Sequence, residues 1–393
     1  MSAHTPSFVL TDKNHTVVGT GSTQEFTTAQ AAASALSTGG AKVVAGCIPF
    51  NPDHPTALFT PHTWQHYNTG WLELQRRDVG DAQTPNEQTS ISDSPQSWQE
   101  IPSPQEHIAR VASAVERIER GDMDKVVLAR SLTTRFRQPL SVIRMLDRLV
   151  TADHDGRGFL ASLDAAGGCY ANTHIVGSSP EILITRRGSR IFTYPLAGTA
   201  ARRLDNRDAD RHTALALQNS SKDLDEHRFV VEAIEEALQP WCHELDVPPL
   251  PTLTHTDHVW HLGTPIRGTL ASTETTALEL ALALHPTPAV AGTPRAEAMQ
   301  HIREVEGERG FYAGAVGWSD ASGDGHWRVL LRAGHLSDGG QTMTMHAGGG
   351  IVADSDPEHE LAETYLKFSP MLSALGSGHW LQEHIGLSPV AGG

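Results

Sequence analysis

The chain has 393 residues, 39% of them hydrophobic, and a formal net charge of −16, enough for one large domain or two ordinary ones with a well-buried core. That charge argues against nucleic acid or an anionic membrane as the main partner, and an anionic metabolite would need a metal or a few arginines to reverse the local field. No apolar stretch approaches the ~20 residues of a membrane span, and the opening MSAHTPSFVLTDKNH lacks the basic and apolar regions of a secretory signal.

Residues 1–78 alternate short β-like runs (8–10, 17–18, 43–47) with turn residues, and GTGSTQ at 19–24 lacks the third glycine of a dinucleotide loop, so it reads as a turn. Residues 79–104 are polar and Pro/Ser-rich, the composition of a surface loop. A helix is expected to follow, with Ser103 as cap, Pro104 at the first helical position and Glu106 completing a capping box; Ile108, Val111, Val115 and Ile118 form its apolar face and Gly121 ends it. Strand-like runs start at Lys125, Glu181, Arg190, Trp327 and Thr342. Helical patterns lie at 209–219, 222–239, 275–284, 295–308 and 357–374. Because strands and helices interleave without a βαβ period, the expected fold is α+β, with large, mainly antiparallel sheets surrounded by helices. Cys47, Cys169 and Cys242 are widely separated and odd in number, which fits reduced, buried thiols in a cytoplasm. The 22 histidines are scattered and read as polar surface.

Chemistry concentrates after residue 120. In PEHELAETYLKF (357–368), steps of three and four place Glu360, Glu363 and Lys367 on one strip of a helix capped by Asp356. Two carboxylates without a second histidine favour a hard cation such as Mg²⁺ over zinc; a solvated Glu–Lys pair gives the same pattern. Glu226 lies in phase with the apolar stripe Phe229, Val230, Ala233 and Ile234. It suits either a third oxygen ligand or a carboxylate favoured by the helix N-terminus. Lys125 heads an apolar strand, as a general base or an exposed strand end. Glu181 sits at a loop-to-strand junction open to a general acid, Arg332 suits a carboxylate clamp, and AGGGIV at 347–352 offers bare backbone amides to an anion. Together these describe a site for a small polyanionic acid.

DKVVLAR (124–130), GSSPEILI (177–184), PLAGTAARR (195–203), KDLDEHRFVVEAI (222–234), HLGTPIRG (261–268), HPTPAVAG (285–292), FYAGAVGW (311–318), LLRAGHL (330–336) and ELAETYLKFSPML (360–372) resemble the chorismate-utilising enzymes. They look most like isochorismate synthases of the siderophore type, as does GCIPFNPDHPTALFTPHTWQ (46–65). The resemblance implies a single α+β domain over 1–393, its catalytic part spanning 105–375, and Mg²⁺-dependent conversion of chorismate to isochorismate. Lys125 would be the base, Glu181 the acid, and Glu226 and Glu363 the metal ligands, with Glu360 acting through water. Gly198, Thr199, His261, Ala289, Arg332, Gly348 and Lys367 would contact substrate. It also implies a monomer without a glutamine amidotransferase subunit. Lys125 argues for water rather than ammonia as nucleophile. Ala289, where salicylate synthases carry threonine, argues for a reaction that stops at isochorismate; Thr199 points the other way and keeps salicylate synthase as the alternative. A non-catalytic relative is disfavoured because every mapped acid, base and metal position carries a competent residue.

Overall fold

Two large antiparallel sheets and a small one carry the chain, with the helices packed around and between them. The computed structural model describes residues 5–79, 95–256 and 259–385. Among these, ten strands form one sheet and nine a second, and Leu196–Ala201, Val259–Gly263 and Thr252–His255 form a third. In the ten-stranded sheet the long strand Lys125–Phe136 pairs with Thr342–Ile351, from Val126 opposite Ile351 to Arg135 opposite Thr342. The expected α+β architecture is therefore present.

Local chemistry explains the helix ends. Asp356 accepts from the His359 amide at 2.9 Å and opens the helix Pro357–Ala374, while Ser103 accepts from the Glu106 amide at 3.3 Å and opens Pro104–Glu119. The capping box expected at Ser103 is only half built, because Glu106 turns its carboxylate to Arg110 four residues on. Of the expected stripe, the helix Ser221–Leu238 buries Val230 and Ile234 and leaves Phe229 and Ala233 half-buried, while His227 and Leu238 are buried as well.

Several expectations need correction. Residues 95–101, within the stretch read as surface loop, form a strand on the other edge of Lys125–Phe136; residues 80–94 of that stretch lie outside the described residues. The N-terminal part adds the helices Ala29–Ser37 and Trp71–Val79, and Val142–Ala152 is a further helix. The run starting at Trp327 divides into Gly325–Val329 of the nine-stranded sheet and Ala333–Ser337 of the ten-stranded one, with Arg332 at the crossing. Its φ of 50° is a backbone state a non-glycine residue adopts at a cost. The three cysteines are free, yet only Cys47 is buried and Cys169 is exposed. The histidines are not simply surface: His107, His227, His261, His285 and His301 are all buried. No helix among the described residues is long and apolar enough to cross a membrane.

Candidate active site

The ends of both large sheets, the small sheet and two helices converge on one cavity. Glu181, Gly198, Thr199, Glu226, His261, Ala289, Arg332, Gly348 and Lys367 line it. Lys125, Glu360 and Glu363 stand behind that lining, against the glycines of Thr342–Ile351. A Cβ on Gly350 would lie 2.1 Å from Glu226 Oε1 and 2.9 Å from Lys125 Cε, and one on Gly349 would lie 2.6 Å from Glu360 Oε2. The glycine run is thus embedded in the ladder rather than offering a free row of amides. Its missing side chains make room for three carboxylates.

Each carboxylate is matched to a lysine. Lys125 Nζ is 3.1 Å from Glu226 Oε1, an ion pair without the alignment of a hydrogen bond. Lys222 donates to Glu360 at 2.8 Å, and Lys367 meets Glu363 at 2.5 Å while donating to the Gly348 carbonyl at 2.8 Å. Among the described residues no three His, Cys, Asp or Glu side chains stand grouped to hold an ion, because these carboxylates face ammonium groups. Their chemistry nevertheless suits a hard divalent cation: all donors are carboxylate oxygens. Burial, then repulsion from Glu363, pushes Glu360 up to about 7 even though Lys222 and Ser355 hydrogen-bond it. Burial alone would raise Glu226; Lys125, Lys367 and Lys222 outweigh it and hold the carboxyl below its ordinary range.

The opposite wall has a different character. Burial pushes Glu181 up to about 8 against the pull of Lys125, Lys367 and Arg332, so at neutral pH it carries a proton. Its carbonyl accepts from the Val329 amide, which fixes the turn that aims it. His261 is held neutral, its pKa far below normal, by burial and by the nearby Arg332 and Lys367. It therefore accepts from Arg332 Nη2 at 2.9 Å and sets the direction of that guanidinium. The cavity combines an acid whose pKa burial raises to about 8, the two cations Arg332 and Lys367, and, behind the lining, a buried lysine beside a carboxylate cluster.

Sequence reasoning missed four contributors. Lys222 neutralises Glu360, and its i,i+4 position before Glu226 could have flagged it. Tyr312 and His346 line the cavity as a stacked pair, 4.9 Å between ring centroids. Burial, then Arg309, pushes His346 down to about 3, so it is a neutral wall. Arg309, in GERGFY, braces that wall from behind.

The family model for chorismate binding enzymes matches residues 56–376. The chain belongs to that family. A Mycobacterium tuberculosis (strain H37Rv) protein provisionally named isochorismate synthase MenF is 40% identical over 385 residues, covering 96% of this chain and 99% of that one. Isochorismate synthase DhbC of Bacillus subtilis is 40% identical over 280 residues, covering 71% and 70%. Among solved structures, a Bacillus anthracis protein provisionally described as 2,3-dihydroxybenzoate-specific isochorismate synthase DhbC superposes with a TM-score of 0.83 at 32% identity, covering 95% of this chain and 96% of that one.

Proposed function

We propose that this protein is a Mg²⁺-dependent isochorismate synthase. The observation that carries the reading is that Glu181, its pKa raised to about 8 by burial, and Glu226 line one cavity, with Lys125 paired to Glu226 just behind the lining. Lys125, once its ammonium has released its own proton, takes a proton from water as the water oxygen bonds to C2 of chorismate; the double bonds shift, the C4–O bond breaks, and Glu181 protonates the departing hydroxyl, which leaves as water. Arg332, aimed by His261, and Lys367 hold a substrate carboxylate. Glu226 and Glu363 would hold Mg²⁺, with Glu360 contributing through water. The ion would supply charge for a substrate carboxylate in a site lined by carboxylates.

Salicylate synthase is the second reading. Thr199 and the phenol of Tyr312 line the same cavity and offer hydroxyls that could hold the enolpyruvyl arm. Product chromatography after incubation with chorismate and Mg²⁺ decides: isochorismate without pyruvate supports the first reading, and pyruvate formed in step with chorismate loss supports the second. We propose a siderophore-type pathway in the cytoplasm; a solved relative described as 2,3-dihydroxybenzoate-specific, which covers nearly the whole chain, favours a 2,3-dihydroxybenzoate branch. Deleting the gene under iron limitation should then abolish the iron-chelating product and leave quinone synthesis intact. We also propose a monomer acting without an amidotransferase subunit, which light scattering and turnover without glutamine would test.

A further inference from the structure

The strand headed by Lys125 has an incomplete edge. Gly292–Thr293 pairs with Val126 and Lys125, and Pro95–Ile101 pairs with residues 131–136. Between them, the Val127 amide still donates to the Ala291 carbonyl at 2.8 Å, but the Val127 carbonyl and the Ala129 amide meet no strand on that side among the described residues. Two side chains occupy the gap. Arg309 donates to the Val127 carbonyl at 2.6 Å and to the Val290 carbonyl at 2.9 Å. Glu306 accepts from the Ala129 amide at 2.7 Å and binds the same guanidinium at 2.7 and 2.8 Å. The pair supplies rungs that a strand would otherwise provide.

What the pair joins gives it a role beyond closing a ladder. Val127 and Val290 both line the substrate cavity, and Val290 follows Ala289. The Arg309 carbonyl accepts from the Tyr312 amide at 3.2 Å, and its guanidinium lies 4.6 Å from the Phe50 ring. Side chains 2% and 8% exposed place the ion pair out of water. Desolvating such a pair is expensive, so its presence is weak evidence for stability alone and better evidence for registry.

We propose that Glu306 and Arg309 form a positioning clasp for chorismate turnover, setting the distance between the strand that carries Lys125 and the wall that carries Ala289 and Val290. Neither residue touches substrate. Their effect passes through Val127 and Val290.

Arg309→Lys keeps the charge opposite Glu306 but cannot span both carbonyls. The expected result is a folded variant whose kcat/KM for chorismate falls about 10²-fold, the scale of a 1 Å misplacement. A brace that merely stabilises the fold would lower the melting temperature and leave kcat/KM per folded molecule unchanged, and that result overturns the proposal. A double-mutant cycle with Ala289→Gly adds a second readout: effects on kcat/KM should depart from additivity by threefold or more, whereas strict additivity means the clasp does not act on that wall. If Arg309→Lys does not fold, Glu306→Asp retains both charges while shortening the reach to Ala129, with the same expectation and the same refutation. The proposal rests on chorismate turnover, so wild type is assayed alongside. An inactive wild type removes the activity itself; an active wild type beside an unimpaired variant removes only the clasp.

Discussion

Lys125 and Glu226 stand 3.1 Å apart with the lysine fully enclosed, one at the head of a strand and the other in the second turn of a helix. A strand end that buries an ammonium group has to supply it with a counter-charge. Glu226 is that charge, and Gly350 is the residue that lets the two meet.

Replacing Lys125 tests its role most directly. Lys125→Ala should lower kcat about 10²–10⁴-fold, the usual contribution of a positioned base, with a small change in KM. Steady-state kinetics on chorismate check this, and near-normal kcat would end the assignment.

The glycine cradle gives an expectation that rests on steric facts. Gly350→Ala would drive a methyl group into both Glu226 and Lys125, so activity should fall roughly 10²-fold or more. Gly350 lacks a left-handed backbone, and circular dichroism should therefore remain native. Full activity would mean the cradle can relax without consequence.

Much of this site could be read from local rules. The cap Asp356 and the three-and-four spacing of Glu360, Glu363 and Lys367 involve neighbours along one helix, and the structure keeps them there. Glu226 was legible because a carboxylate in phase with Val230 and Ile234 needs an explanation. Tyr312 and His346 were not legible, because they meet from separate segments brought near by sheet order; Arg309 has a local partner in Glu306, but the Val127 and Val290 carbonyls that give it a role are remote in sequence. Pro95–Ile101 was hidden for a different reason. It is mostly exposed and pairs off the main path of its sheet, so its composition is that of a loop. The helix Val142–Ala152 did carry a signal, Ser141 as cap and Met145, Leu146, Leu149 and Val150 as its buried face.

Glu181 links activity to pH. Its folded pKa of about 8 lies above the ordinary 4.5, so the proton needed by the leaving hydroxyl is lost as pH rises through about 8, and kcat should fall there. Stability runs in the same direction: a raised pKa contributes stability present below the unfolded value and lost as pH rises through the folded one. Glu181→Gln cannot donate the proton and should lose most turnover. It also removes the ionisation that opposes folding, so its melting temperature should exceed wild type increasingly between pH 4.5 and 8. An equal pH dependence in both proteins would contradict the buried acid.

The carboxylates should separate in their response to Mg²⁺. Glu226→Ala and Glu363→Ala should weaken binding, with activity partly restored by excess Mg²⁺. Glu360→Ala should be milder, because Lys222 and Ser355 already engage Glu360 Oε1. Calorimetric titration with and without chorismate reads the ion independently of turnover. Tighter Mg²⁺ binding in the presence of chorismate is expected from a shared carboxylate contact, and absence of such coupling would give the cluster another purpose.

Product identity turns on the wall opposite Glu181. Hydration at C2 requires a base, an acid and a fixed carboxylate, whereas loss of pyruvate also requires the enolpyruvyl arm to be held close to the C2 hydrogen. Ala289 has no hydroxyl for that arm, although Tyr312 and Thr199 line the same cavity. Isochorismate should therefore leave faster than it eliminates, and no pyruvate should accumulate at neutral pH. Ala289→Thr adds a hydroxyl beside Val290, whose carbonyl is held by Arg309, and should divert part of the flux to salicylate and pyruvate. Tyr312→Phe in that background removes the second candidate hydroxyl and should reverse the gain. If Ala289→Thr releases no pyruvate while still consuming chorismate, this wall does not decide how far the reaction proceeds.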